Sequence, residues 1–139
     1  MKRLLNLACV SAVLCLAFAI PAPAQINNSV NFTTTFPFYA GNAKFPAGSY
    51  KVSAASFSGN TLQIENAGGT HSAFLEFTPT QAEAAHKTSD AGFKKYGTSE
   101  VLSTIWIAGQ KFGMQLEVTK FEQSLAKAGA AAPHTVPAK

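Results

Sequence analysis

The amino-acid sequence predicts an all-β fold, a small antiparallel β-sandwich or barrel with a short C-terminal helix. From residue 30 onward, short segments alternate apolar and polar residues, which is typical of strands with one buried face. Gly, Asn and Pro separate these segments about every ten residues, a spacing that favours antiparallel hairpins. One segment near the end, residues 121–128, has the apolar spacing of an amphipathic helix instead.

A leader precedes the predicted domain. Lys2 and Arg3 stand before an apolar run at residues 4–20, and small residues around Ala24 follow, which together predict a signal peptide at residues 1–24. The run is shorter than the roughly 20 apolar residues of a membrane-spanning helix. We therefore expect cleavage after Ala24, export to the periplasm or the outside of the cell, and no transmembrane segment in the mature protein.

We expect a single β-rich domain at residues 25–128, followed by a disordered tail at residues 129–139. The domain is long enough for one hydrophobic core and no more. The tail contains Pro133 and Pro137 and few large apolar residues, a composition that disfavours packing.

The first half of the domain predicts four strands. Pro37 indicates that the first of them ends at an edge or a bulge, because proline has no N–H to donate. A turn at residues 46–48 precedes the second strand, and a turn at residues 66–69 joins the third and fourth in a hairpin. The four strands are predicted at residues 30–38, 49–54, 62–65 and 71–77.

The second half predicts a loop, two strands and a helix. Thr80 and Glu83 have the spacing of a capping box, which predicts a short helical turn through Lys87. The helix at residues 121–128 is expected to lie across an open end of the sheet and to end at Gly129. Residues 93–96 lead into Gly97, and the two strands are predicted at residues 101–107 and 114–118.

Composition narrows the classes of partner. Cys9 and Cys15 both lie in the leader, so the mature domain is expected to have neither disulfides nor thiolate metal sites. Without Lys2 and Arg3, the 11 basic residues become nine lysines against seven acidic residues. The mature chain then has no arginine to bind phosphate or a base edge in a fork, so nucleic acid is not expected as a partner.

The sequence contains no motif that predicts catalysis or a cofactor. Glu83 and His86 have the Glu-x-x-His spacing of a helical metal pair, but the bundles that use it need two such motifs on long helices. No Gly-x-Ser-x-Gly nucleophile motif occurs. An enzyme would need His71, Glu76 and Glu100 to meet in one cleft. We therefore expect a non-enzymatic protein without cofactor or metal.

Aromatic residues are the remaining candidates for a binding site. Aromatic rings provide a large contact area with few rotatable bonds, so they suit sugars and apolar ligands. Most aromatic residues of this chain fall on the buried positions of the alternation and are expected in the core. Tyr39, Phe74 and Trp106 do not, and we predict them as ligand-binding residues.

Two separated motifs resemble a known family. The runs FPFYAGN at residues 36–42 and PAGSY at 46–50 form the first motif, and FKKYG at 93–97 with LSTIWIAG at 102–109 forms the second. Together they resemble a family of small exported proteins that is common in acidobacterial soil bacteria. The resemblance implies a β-rich exported domain, and it implies no catalytic or binding residue.

These observations predict an exported, non-enzymatic β-domain that acts by binding. The expected partner is an envelope glycan, an apolar ligand or a second copy of the chain. The alternative is a self-associating structural protein of the envelope, in which an exposed strand edge pairs with other copies. The low charge and the β-prone segments favour this alternative.

Overall fold

The structure is a computed structural model that describes residues 29–55 and 59–139. The predicted signal peptide at residues 1–24 lies outside the described residues. Ten strands and one helix are described, in this order: β1 (Ser29–Thr34), β2 (Phe38–Ala40), β3 (Ala43–Phe45), β4 (Gly48–Ala54), β5 (Thr61–Asn66), β6 (Ser72–Gln81), β7 (Ser89–Tyr96), β8 (Ser99–Trp106), β9 (Phe112–Leu116), α1 (Lys120–Ala128) and β10 (Ala132–Ala138).

Eight of these strands form a closed antiparallel barrel, which confirms the predicted all-β fold and its barrel form. Their order around the wall is β8, β7, β10, β1, β4, β5, β6 and β9, and β9 returns to β8 to complete the ring. Strands β9 and β2 share the same edge of β8. Strand β9 pairs with the residues from Thr104 to Trp106. The short strand β2 pairs in parallel with the other half of β8, at Tyr39 opposite Val101.

The predicted first strand is divided in two by its proline. Strand β1 ends at Thr34, and β2 begins at Phe38, directly after Pro37. Proline cannot donate to a strand ladder, so the chain leaves the barrel wall here. Strands β2 and β3 then form a separate hairpin, joined at Phe38 opposite Phe45.

This hairpin carries two aromatic rings into the barrel. Phe38 is 0% exposed and Phe45 is 1% exposed. The ring of Phe38 lies 5.0 Å from that of Tyr50 and 5.4 Å from that of Phe93, while Phe32 lies 6.0 Å away. Rings at such separations pack in edge-to-face and stacked pairs, so the barrel interior is a filled aromatic core.

The predicted disordered tail is wrong. Residues 132–138 form strand β10, which lies between β1 and β7 and pairs with β7 over seven register positions. On the other side, the N–H and C=O of Lys139 exchange hydrogen bonds with Asn31. Alternate residues of a strand direct their backbone groups to the same neighbour, so Pro133 and Pro137 face β1 as Lys139 does. The two missing N–H groups therefore leave the ladder with β7 intact.

The predicted helical turn at residues 80–87 is also wrong. Strand β6 continues to Gln81, and the next residues form an irregular loop. The N–H of Ala82 donates to the carbonyl of Lys111, and the N–H of His86 donates to the carbonyl of Gln110. These bonds attach the loop to the turn between β8 and β9.

The predicted C-terminal helix is confirmed as α1. The hydroxyl of Thr119 accepts a hydrogen bond from the N–H of Glu122 and caps the helix, as threonine does at this position. Phe121 packs on Tyr39, with 4.5 Å between ring centroids. The helix therefore lies on the outside of the barrel next to β2.

Glu122 fixes the helix to β7. It is 4% exposed, and its carboxylate accepts hydrogen bonds from the Lys94 ammonium at 3.3 Å and the Tyr96 hydroxyl at 3.0 Å. Burial and this carboxylate raise the pKa of Tyr96. Across the described part of the chain, no helix has the length and apolar content needed to cross a membrane.

Candidate functional site

The structure uses Tyr39 for packing. Its ring contacts Phe121 of the helix on one side, and the ammonium of Lys44 lies 5.8 Å from its centroid. Such a cation over an aromatic face is a favourable contact. Tyr39 therefore helps to attach the helix and the β2–β3 hairpin to each other.

Trp106 is covered on both faces. The ring of His86 stacks on it at 4.2 Å with an angle of 6°. On the other side, a Cβ added to Gly113 would lie 2.5 Å from an indole carbon, so only glycine fits beneath the ring. His86 is itself held by the carboxylate of Asp90 at 3.3 Å. The indole has little free face left for a ligand.

Phe74 is the one predicted residue with an open side chain. It is 67% exposed and borders a small cavity of about 170 Å³ that also contacts the β2–β3 turn. It does not meet the other two residues in one platform. Tyr39 pairs with Val101, five residues before Trp106, so these two lie about 17 Å apart along β8 at the usual rise per residue.

The residues that an enzyme would have needed have separate partners. Glu76 accepts a hydrogen bond from the Thr61 hydroxyl at 3.1 Å. His71 lies in the turn between β5 and β6 beside Thr70. Glu100 is paired with His134 at 2.6 Å. Within residues 29–55 and 59–139, no three His, Cys, Asp or Glu side chains come close enough to hold a metal ion.

The sequence does not predict the pair of Glu100 and His134, because residues 129–139 have the composition of a disordered tail. Glu100 is 7% exposed, and the ammonium of Lys95 lies 3.8 Å from its other oxygen. The His134 ring stacks on Phe93 at 5.7 Å and meets Phe36 edge to face at 5.5 Å. The pair links β10 to β8 across β7. The alternation of His134, Val136 and Ala138 is a local signal of this strand, but it contains too few large apolar residues to predict the strand alone.

A cavity lies over the join of β1 and β10 in the barrel wall. Strands β1 and β10 share a single register pair, Phe32 opposite Ala138. The next position along the seam brings Pro137 opposite Thr33, and proline has no N–H to extend the ladder. A groove of about 580 Å³ opens over this join and continues across β4 and β5. We call it the seam groove.

Two rows of side chains cross the seam groove from strand to strand. The first row follows from the registers of Asn31 with Lys51 and of Lys51 with Glu65, and Lys139 extends it on the other side of Asn31. In the second row, Thr33 lies opposite Ser49, and their hydroxyls hydrogen-bond at 2.9 Å. The groove therefore presents amide, hydroxyl and charged groups on one face.

A second groove, of about 480 Å³, lies on the opposite side of β10. It follows a β-bulge in β8, where Ser103 is the extra residue between the partners of Gly92 and Phe93. A Cβ added to Gly92 would lie 2.0 Å from the Thr104 hydroxyl oxygen, so the groove depends on the absence of a side chain there. The amide of Gln115 lines it but donates to the carbonyl of Ser103. Its polar groups are thus largely satisfied within the protein.

The fold and the seam groove define the chain as a small antiparallel β-barrel with a filled aromatic interior and, on its outer face, a groove lined by both apolar and polar groups. In comparisons with known proteins, no family model, no curated protein and no solved structure matches the chain.

Proposed function

We propose that the chain is an exported, non-enzymatic binding module that takes its ligand in the seam groove. It would act in the periplasm, the cell envelope or the extracellular space. The leader at residues 1–24 motivates the location. The separate pairing of Glu76, His71 and Glu100 supports binding without catalysis.

The observation that carries this proposal is the contrast between the barrel interior and its outer face. Phe38 and Phe45 are at most 1% exposed and fill the interior together with the other apolar core residues that the structure describes. The seam groove has a volume of about 580 Å³, within the range of common small-molecule sites. A ligand of this barrel would therefore bind on its wall.

A groove-filling variant tests the proposal. Ser49 projects from β4 into the seam groove, and Ser53 projects from the same face of β4 four residues on, outside the groove. Ser49→Phe should abolish binding of the ligand found on a glycan array or on lipid vesicles, because the ring occupies the groove. Ser53→Phe is the matched control and should bind normally.

Two results would contradict the proposal. One is that no envelope glycan or lipid binds the purified protein at any practical concentration. The other is that Ser49→Phe and Ser53→Phe bind the identified ligand as well as the unmodified chain does. Trp106→Ala adds a further comparison, because loss of the stacked indole should lower stability while the groove remains.

Self-association is the second candidate, and the exposure of Phe74 favours it. This ring is 67% exposed on the outer face of β6, and a large exposed aromatic side chain is a common contact between copies. Pairing between copies through strand edges has less support. The barrel is closed, and β3, the strand at the end of the strand order, offers an edge of only three residues. Light scattering over a concentration series should detect a dimer that Phe74→Ser removes, and a monomer at every concentration would exclude this candidate.

A further inference from the structure

We infer that strand β10 is exchanged between two copies of the chain, so that each copy fills the gap between β1 and β7 of the other. The partner that fits this gap is therefore a second copy of the same chain. The inference is independent of the seam groove and of its ligand. It rests on the single connection of β10, on the small contribution of its side chains to the core and on the bonds that hold it.

Strand β10 is central in the barrel wall and is tied to the rest of the domain by one connection. It lies between β1 and β7. In the described part of the chain, residues 129–131 join it to the helix, and no other element follows it. Strand β10 can therefore leave the wall without displacing a further strand or helix.

The side chains of β10 contribute little to the core. Among the buried core residues that the structure describes, none comes from residues 132–138. Val136 and Ala138 are only partly buried against that core, and β10 shares a single register pair with β1, Phe32 opposite Ala138. The release of β10 therefore costs mainly its hydrogen bonds, and a strand from another copy restores those.

A second copy supplies every bond that holds β10. The strand pairs with β7 over seven register positions through backbone groups. His134 hydrogen-bonds Glu100 at 2.6 Å, and Lys139 exchanges two backbone bonds with Asn31. An exchanged dimer forms the same contacts as the monomer, so the two forms differ in the connection and in the entropy of association, which a higher protein concentration offsets.

The connection before β10 is short and has only small side chains. The helix ends at Ala128 and β10 begins at Ala132, so Gly129, Ala130 and Ala131 form the connection. All three are exposed, and Gly129 is extended, with φ of −178° and ψ of 162°. Short connections of this kind favour exchange, because they restrict the return of the strand to its own domain.

A cysteine pair across the ladder between β7 and β10 detects the exchange. Cys9 and Cys15 lie in the predicted leader, so the cleaved chain has no thiol of its own. Asp90 and Pro137 are register partners. Because the backbone of Pro137 faces β1, this pair is not hydrogen-bonded and its Cα atoms lie about 4.5 Å apart, within the range of a disulfide. One preparation carries Asp90→Cys and a second carries Pro137→Cys.

The two preparations are unfolded in urea, mixed, refolded together at high concentration, diluted to micromolar and oxidised. A disulfide across the ladder then requires β10 of one copy beside β7 of the other. Thiols held in one dimer react at an effective concentration of about millimolar, so we expect a yield of cross-linked heterodimer about tenfold or more above the control. The control mixture contains Lys111→Cys in place of Asp90→Cys, because Lys111 is exposed in the turn between β8 and β9.

The length of the connection gives an independent measurement. Deletion of Ala130 and Ala131 shortens the reach from Ala128 to Ala132 from about 14 to about 7 Å at full extension. The deletion should raise the dimer fraction in light scattering after refolding, and four Gly and Ser residues inserted at the same place should lower it below that of the unmodified chain. If the deletion variant does not fold, the cysteine pair still decides.

Two results would overturn the inference. One is a yield of heterodimer no higher than that of the Lys111→Cys control. The other is a monomer at every refolding concentration, both for the unmodified chain and for a folded deletion variant. A dimer that Phe74→Ser removes, without a cross-link above the control, would also overturn it and would place self-association on the outer face of β6.

Discussion

The close approach of Gly92 to Thr104 predicts that Gly92→Ala destabilises the fold and that removal of the Thr104 hydroxyl cancels this effect. Gly92 lies inside β7, and it is not among the glycines with positive φ, so its backbone conformation does not itself require glycine. The steric reason is the Thr104 hydroxyl, which would lie 2.0 Å from an added Cβ. Overpacking of this kind costs about 1–3 kcal/mol.

Part of this cost is offset by the alanine itself. Glycine in a strand interior is roughly 0.5–1 kcal/mol less favourable than alanine, because it loses more conformational freedom on folding. We therefore expect Gly92→Ala to lower the free energy of unfolding by about 1–2 kcal/mol. Urea unfolding with linear extrapolation measures this change.

A double-mutant cycle isolates the contact. In a Thr104→Ala background, the nearest remaining atoms to the new Cβ are the Cβ of residue 104 at 3.4 Å and its carbonyl oxygen at 3.7 Å, which are ordinary contacts. There, Gly92→Ala should be neutral or stabilise the fold by up to about 1 kcal/mol. The expected coupling between the two sites is about 2 kcal/mol.

The reasoning would be refuted by an equal cost of Gly92→Ala in both backgrounds. That result would mean that the hydroxyl of Thr104 moves away at no cost, or that the position of Gly92 opposite the bulge in β8 needs glycine for another reason. An unchanged slope of the urea transition should accompany each variant, because a changed slope would report an altered unfolded or native state.

Two further predictions concern the helix and the last strand. Because burial and the Glu122 carboxylate raise the pKa of Tyr96 above its ordinary 10.0, this tyrosine stabilises the fold fully below about pH 10 and progressively less as the pH rises through its raised pKa. Glu122→Gln should reduce this loss of stability at alkaline pH, measured as a pH series of unfolding free energies, and should leave the part due to buried Tyr50. An unchanged profile would contradict the coupling between Tyr96 and Glu122. Removal of residues 132–139 should abolish cooperative thermal unfolding followed by circular dichroism, because strand β10 pairs with β7 over seven positions; a melt with the same midpoint would exclude β10 from the cooperative unit.

The strands with clear alternation could be predicted from the sequence. In β4 and β5 the inward residues are large and the outward ones polar, so local pattern and burial agree. The same holds for the helix, since Thr119 and Gly129 mark its ends and Phe121 marks its buried side. These elements are specified by residues close together in the chain.

Strand β10 could not be predicted by the same criterion. Its inward side carries only His134, Val136 and Ala138, and two prolines interrupt the sequence. Its stability comes from the backbone ladder with β7 and from the contact of His134 with Glu100. Both depend on partners more than 30 positions away in the chain, which no local pattern contains.

The candidate site was missed for a related reason. Asn31 lies on β1, Lys51 on β4 and Lys139 directly after β10, and only the pairing of these strands in the wall brings them into one row. The sequence pattern predicts that Trp106 is free to bind a ligand, because it does not fall on the buried positions of the strand alternation. A loop residue, His86, covers it instead, and strand periodicity carries no information on what a loop places over an outward side chain.

The position of β10 in the wall also has a consequence for synthesis. A ribosome must translate beyond residue 138 before β1 and β7 receive the strand that lies between them. A chain without β10 would leave the facing borders of β1 and β7 unpaired, and unpaired strand edges make incomplete chains prone to aggregate. A purification tag directly after Lys139 would extend the chain from the residue that pairs with Asn31 of β1. Tags are therefore better placed ahead of Ser29 with a flexible spacer.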